Sequence, residues 1–204
     1  LTKINKPSTF LVLTKGIFDQ EGFFLISEFL DDRIKESHYA ILSGPNLALE
    51  IASGLPAASV VSSLHKETAS LYQSLLSNDQ FRVYLNYDMK GVELGGILKN
   101  CYAIGAAFVD SLELGDNAKS AYLTRALVEM QRIGVSFGAK KETFYGLSGM
   151  GDLITTCSGE KSRNYRFGKT FFETGSIDDA KNLLSISVIE GLRTLEFMYH
   201  RCQE

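Results

Sequence analysis

From Gly91 to Leu114 the chain is almost wholly apolar or small on every side of a would-be helix. Val92, Leu94, Ile97, Leu98, Cys101, Tyr102, Ile104, Phe108 and Val109 leave no polar stripe, and Gly95, Gly96, Gly105, Ala106 and Ala107 add small surfaces. A helix that is hydrophobic all round has to be enclosed by protein, so this run predicts a central helix whose small residues mark close neighbours. The rest of the chain must supply its shell. Three residues in the run resist that reading: Glu93, Lys99 and Asn100.

The sequence before this helix has a different texture. Phe10 to Thr14, Tyr39 to Leu42, Ala57 to Ser62 and Phe81 to Leu85 are short apolar or alternating runs with the length of strands. Helical spacing occurs in Phe24 to Leu30, Asn46 to Ser53 and His65 to Leu76. Strands alternating with helices predict an α/β layer with largely parallel pairing. After Asp88 the periodicity is helical: Asn117 to Phe137, Phe167 to Glu173, Ile177 to Leu184 and Ile189 to His200. Two domains are therefore expected, residues 1–88 and 89–204, an α/β part followed by an all-α part.

Composition narrows the function classes. A chain of 204 residues with 45% hydrophobic and 22% charged residues can bury a substantial core. A net charge of −3 gives no basic footprint for nucleic acid or anionic membrane. No stretch reaches the roughly 20 uninterrupted apolar residues of a membrane span. No signal peptide is visible in Leu1 to Phe10, and the opening on Leu1 rather than methionine suggests a piece of a longer protein. Cys101, Cys157 and Cys202 are too few for a disulfide framework and read as reduced thiols, which places the chain in a reducing compartment. His38, His65 and His200 are scattered, and no Cys/His pair has zinc spacing, so no metal site is expected.

Lys99 is the most informative residue. Inside an apolar helix, its ammonium carries a large desolvation cost unless it is partnered or its pKa falls. A lysine with a lowered pKa exchanges a proton with a hydroxyl or carbonyl near neutral pH. The alternative is a snorkelling lysine whose head reaches water. Asp152, after Gly149-Met-Gly151, is either a carboxylate that orients a lysine or a plain helix N-cap. Ser162-Arg163-Asn164, with Lys161, Arg166 and Lys169 near, suits a phosphate and is equally a solvated charged loop. Lys15-Gly16 and Ser43-Gly44-Pro45-Asn46 follow strands, where open α/β sheets bind ligands, with Pro45 placed to start a helix. A Gly-x-Gly-x-x-Gly fingerprint is absent.

In this order the motifs resemble NAD(P)-dependent glycerol-3-phosphate dehydrogenases. The resemblance runs from Thr14-Lys-Gly-Ile17 through Ser43-Gly-Pro45 and Phe81-Arg-Val-Tyr84, and is densest in Gly91-Val-Glu-Leu-Gly-Gly-Ile-Leu-Lys-Asn100 and Gly115-Asp-Asn-Ala-Lys119. It continues through Gly146-Leu-Ser-Gly-Met-Gly-Asp-Leu153, Ser162-Arg-Asn164 and Glu190-Gly-Leu-Arg-Thr194. It implies part of a Rossmann domain followed by a helical domain like the C-terminal domain of 6-phosphogluconate dehydrogenase. The implied reaction reduces dihydroxyacetone phosphate, a phosphorylated triose, to sn-glycerol 3-phosphate with NAD or NADP as cofactor. The implied setting is a cytoplasmic homodimer supplying glycerophospholipid synthesis. Residue by residue, Lys99 matches the proton donor and acceptor. Lys15 matches a position beside substrate and cofactor. Gly44, Asn46, Asp152 and Thr156 match substrate-site positions, and Ser162, Arg163 and Asn164 match the phosphate-binding segment. Ala48, Val188 and Glu190 match cofactor contacts, and Arg163 matches one as well. The family usually carries serine or threonine at Asn46 and phenylalanine at Leu47. Its glycine-rich first turn and its final helices have no counterpart here. Another dehydrogenase with a Rossmann half and a helical half, or an inactive fragment, are the competing readings.

Overall fold

The computed structural model describes residues 8–18, 24–34 and 38–201. Cys202 and residues 1–7 of the opening stretch lie outside them. Four strands, β1 (Thr9–Val12), β2 (His38–Ser43), β3 (Ala57–Ser62) and β4 (Phe81–Asn86), form one sheet in the order β1-β2-β3-β4. Helix α1 (Ile26–Arg33) follows β1, α2 (Ala48–Ala52) follows β2, and α3 (Lys66–Leu76) follows β3. Apolar side chains alternate across the strands, so each face of the sheet has its own core. On one face Tyr39, Ile41 and Val60 pack with Leu30 of α1 and with Met89 and Val92. On the other, Ala40, Leu42, Val61 and Val83 pack against Tyr72 and Leu76 of α3.

The sheet is largely parallel, as expected, with one exception. β1 with β2 and β3 with β4 are parallel, but β2 and β3 run antiparallel, with Ser43 opposite Val60. The cause lies in the connection. A parallel return needs a crossover, usually a helix packed on the sheet. α2 buries none of its residues, so it makes no such crossover. Pro45 does not start this helix, which opens three residues later at Ala48; the proline lies beside Gly151.

The second half is built on α4 (Met89–Ser111), and every residue from Gly91 to Asn100 is buried. By length and composition α4 could cross a membrane, but 78% of the apolar window is buried inside the protein, so it is a core helix. Around it stand α5 (Gly115–Ser136), α6 (Asp152–Cys157), α7 (Arg163–Thr174), α8 (Ile177–Leu184) and α9 (Glu190–Arg201). A 3-10 turn (Lys141–Tyr145) and a π-helical turn (Leu147–Gly151) lead into α6. Leu94, Ile97 and Leu98 of α4 pack with Phe144, Leu153 and Met130. The small residues of α4 do what their size suggests: a Cβ on Gly95 would lie 2.3 Å from the carbonyl oxygen of Ser148 in the π turn.

Asp88, at the chain's passage between the two halves, ties the start of α4 to the turn after α5. One carboxylate oxygen caps α4 through the N–H of Gly91, and the other accepts from the N–H of Lys140 and the hydroxyl of Thr143.

Candidate active site

A cleft of about 770 Å³ lies where the sheet meets the helical half. Its walls include Leu13 to Gly16 after β1, Leu42 in β2, and the α2 region (Asn46, Leu47, Ala48 and Ile51). Lys99, Asn100, Thr156, Lys161 to Asn164 and Glu190 close it from the helical side.

At its floor two lysines share one buried carboxylate. Lys99 Nζ donates to Asp152 Oδ1 at 2.5 Å and to Thr156 Oγ1 at 2.9 Å. Lys15 Nζ donates to Asp152 Oδ2 at 2.7 Å and to the carbonyl of Gly44 at 2.9 Å. Asp152 is 1% exposed and Lys99 8%. An ammonium has three N–H donors; two are used on each lysine, which leaves one on each for a ligand oxygen in the cleft. The snorkelling alternative for Lys99 therefore does not hold. Nor does the N-cap reading of Asp152, because α6 has no side-chain cap and both carboxylate oxygens are taken by lysines. Burial pulls the Lys99 pKa down from its usual 10.5 to about 8; Asp152 opposes the shift and the charge of Lys15 reinforces it. With all three groups ionised, the cluster carries one net positive charge, which favours an anionic ligand.

The local backbone explains why these groups meet. Gly44 has φ +146°, and a Cβ there would lie 3.0 Å from the Cα of Ser59, so the turn after β2 admits only glycine. Gly96 leaves room for the stem of Lys15, whose Cγ would be 3.3 Å from a Cβ at that position. Thr156, one turn after Asp152, donates back to the carbonyl of Asp152 at 2.6 Å and so presents its oxygen to Lys99.

The Ser162-Arg163-Asn164 segment is not the solvated loop of the bland reading. Ser162 and Asn164 are buried, and the Ser162 hydroxyl caps α7 by accepting the N–H of Tyr165 at 3.3 Å. α7 thus starts at Arg163, four residues before the apolar periodicity becomes visible, and its N-terminus faces the cleft. Asn164 is committed inward, donating to Asn100 Oδ1 at 3.0 Å and accepting from the N–H of Gly191 at 2.9 Å. Arg163 pairs with Glu190 at 2.8 Å, and Lys161 pairs with Glu50 of α2. Asn46 accepts from Ser59 at 2.7 Å.

Of the residues singled out from the sequence, Lys15, Asn46, Ala48, Lys99, Thr156, Ser162, Arg163, Asn164 and Glu190 line the cleft. Gly44 and Asp152 stand behind it, holding the lysines. Val188 is half-exposed and does not line it. Asn100 is a site residue to which the sequence analysis assigned no role. Its Nδ2 donates to the carbonyl of Lys15 at 3.1 Å, tying the β1 turn to α4 and, through Asn164, to α7 and α9. Its place beside Lys99 was the available signal. Among the described residues no group of His, Cys, Asp and Glu could hold a metal ion. Cys101 and Cys157 are free, and burial pushes both thiols up to about 12.

A sheet flanked by helices, joined to a helical half with paired lysines on a shared carboxylate at the junction, defines a two-part α/β and all-α protein with a cationic cleft between its halves. Comparison with known proteins narrows the class. Residues 88–204 match the family model of the NAD-dependent glycerol-3-phosphate dehydrogenase C-terminus, and residues 1–69 match that of its N-terminus. The chain belongs to the NAD-dependent glycerol-3-phosphate dehydrogenase family. It is 46% identical over 192 residues to the glycerol-3-phosphate dehydrogenase [NAD(P)+] of Pseudomonas putida, covering 94% of this chain and 56% of that protein. Its identity to the enzyme of the same name from Staphylococcus haemolyticus is 40% over 204 residues, covering 98% and 61%. The crystal structure of glycerol-3-phosphate dehydrogenase from Coxiella burnetii superposes with a TM-score of 0.88 at 38% identity, covering 95% of this chain and 58% of that one. The Dunaliella salina structure gives 0.80 at 30% identity, covering 91% and 36%. The chain thus spans little more than half the length of the curated relatives it matches.

Proposed function

We propose that the protein carrying this chain reduces dihydroxyacetone phosphate to sn-glycerol 3-phosphate with NADH or NADPH. The observation that carries the reading is the placement of Lys15 and Lys99 on the two oxygens of buried Asp152 at the cleft floor, each with one donor to spare. We read the chain as two domains, 1–88 and 89–204, that meet at this cleft. The protein is proposed to be a cytoplasmic homodimer supplying glycerophospholipid synthesis.

The residues present fit the nicotinamide end of a dinucleotide. The cleft opens at the ends of β1 and β2, where open α/β sheets take ligands, and Lys15, Ala48, Arg163 and Glu190 line it. Bound there, the nicotinamide would donate or accept the hydride. The chain's own residues do the rest. Arg163 and the N–H groups opening α7 hold the phosphate, a helix N-terminus being a favourable anion site. Lys99 passes its proton to the substrate's carbonyl oxygen and takes it back in the reverse direction. Lys15 stabilises the negative charge that develops on that oxygen. Asp152 and Thr156 hold Lys99 in place throughout. The test is to assay the full-length protein with dihydroxyacetone phosphate and each reduced cofactor, following glycerol 3-phosphate. Oxidation of neither cofactor, or equal turnover of unphosphorylated dihydroxyacetone, would sink the assignment.

A further inference from the structure

Glu93 is a buried acid that the chemistry above does not use. It lies on α4, six residues before Lys99, and is 3% exposed. Its Oε1 accepts from the N–H of Ile26 at 2.9 Å and of Ser27 at 3.3 Å, while Oε2 has no hydrogen-bond partner. A helix leaves its first N–H groups without intrahelical partners. At the start of α1, carboxylates answer the N–H groups from the N-cap onward and one before it: Glu28 takes Phe24 and Leu25, and Glu93 takes Ile26 and Ser27. The chain on the other side of this anchor is the turn that bears Lys15. Ile17, Phe24 and Leu25 pack on Leu94, Ile97 and Leu98 of α4, and Phe18 N–H bonds the carbonyl of Phe24.

We propose that Glu93 is a positioning residue that clamps the start of α1 to α4 and thereby sets where Lys15 meets Asp152. The proposal rests on the role given to Lys15 above. The geometry makes α4 a ruler with two grips on one segment, Asn100 on the carbonyl of Lys15 and Glu93 on the helix beyond it. The clamp is strongest as a carboxylate, because the N-terminal end of α1 favours negative charge. Burial, then the charge of Glu28, raise the Glu93 pKa to about 7, while its bonds to Ser27 and Ile26 pull it the other way. The titratable groups facing it are Glu28 on α1, which Lys90 of α4 answers at 3.5 Å, and Tyr39 on β2, whose single O–H is shared between Asp31 and the carbonyl of Ser27. Protonation below about 7 removes the charge and loosens the grip. Lys99 acts on the opposite limb, since it loses its proton above about 8.

Two measurements on the full-length protein test this. In the reduction direction, kcat/KM should fall as pH drops through about 7. Glu93→Gln should flatten that acid limb and lower the plateau about tenfold, as expected when a charge-assisted pair becomes neutral. The second readout needs no variant and no turnover. Amide exchange in Ile26 to Leu30, compared with β3, should lose protection from pH 8 to pH 6 in the wild type. An unchanged acid limb in Glu93→Gln, or α1 protection that tracks β3 across that range, would overturn the clamp. If the wild type fails to turn over dihydroxyacetone phosphate, the functional reading falls, and the exchange experiment still decides the clamp.

Discussion

Lys99 is where burial becomes chemistry. Its ammonium is held by Asp152 and Thr156 yet desolvated enough that its proton is exchangeable near pH 8. Lys99→Ala in the full-length protein should lower turnover at least about 100-fold, the lower bound for a general acid. Folding persists, because Asp152 keeps Lys15 as a partner. The sign of the pH effect follows from the shift. The reductive reaction needs the protonated lysine, so its rate falls as pH rises through about 8, and the oxidative reaction gains over the same range. Paired pH–rate profiles in the two directions check this. At Arg163 a change to lysine preserves charge and loses the planar fork. Arg163→Lys should raise the KM for dihydroxyacetone phosphate and erode the preference for it over dihydroxyacetone; an unchanged preference would place phosphate recognition elsewhere.

At the scale of elements, α4 organises the site because its small residues let other segments approach. Gly95→Ala would set a Cβ 2.3 Å from the Ser148 carbonyl oxygen, in the π turn that delivers Asp152. The strain should cost about 1–3 kcal/mol, typical of overpacking. Urea denaturation measures that cost. Activity should fall further than stability alone explains, because the displaced turn carries the carboxylate shared by both lysines. Among the elements, those with a full apolar period were legible before the fold was known: β3, α8 and the body of α4 lie where their periodicity puts them. The sequence shows α7 only from Phe167, because its first turn is polar and its start is marked only by a serine cap. The sequence places a helix over Asn46 to Ser53 with Pro45 at its head; α2 opens only at Ala48, and Ala48 and Ile51 face a cleft that no local pattern announces.

Across the whole molecule, the cleft joins residues far apart in sequence, Lys15 to Asp152 and Lys161 to Glu50. The 204-residue sequence holds no glycine-rich phosphate-binding fingerprint of the kind that cradles a dinucleotide's pyrophosphate. Two lost charge-assisted hydrogen bonds, at about 1.5–3 kcal/mol each, weaken binding about 100-fold or more. These 204 residues expressed alone are therefore expected to bind NADH and NADPH more weakly than micromolar, which calorimetric titration checks. β1 pairs only with β2 among the described residues, and an open strand edge invites association. Sedimentation at rising concentration should show the isolated chain self-associating. The sequence by itself determined the central helix, the change from α/β to all-α texture and the anomaly of a lysine in an apolar run, since hydrophobic periodicity and the cost of burying charge are local to the chain. The antiparallel β2–β3 pair, the two lysines on one carboxylate and the inward commitment of Asn164 were decided by tertiary structure alone. Each depends on which distant groups share one desolvated volume, and there a partner's position outweighs any residue's own preference.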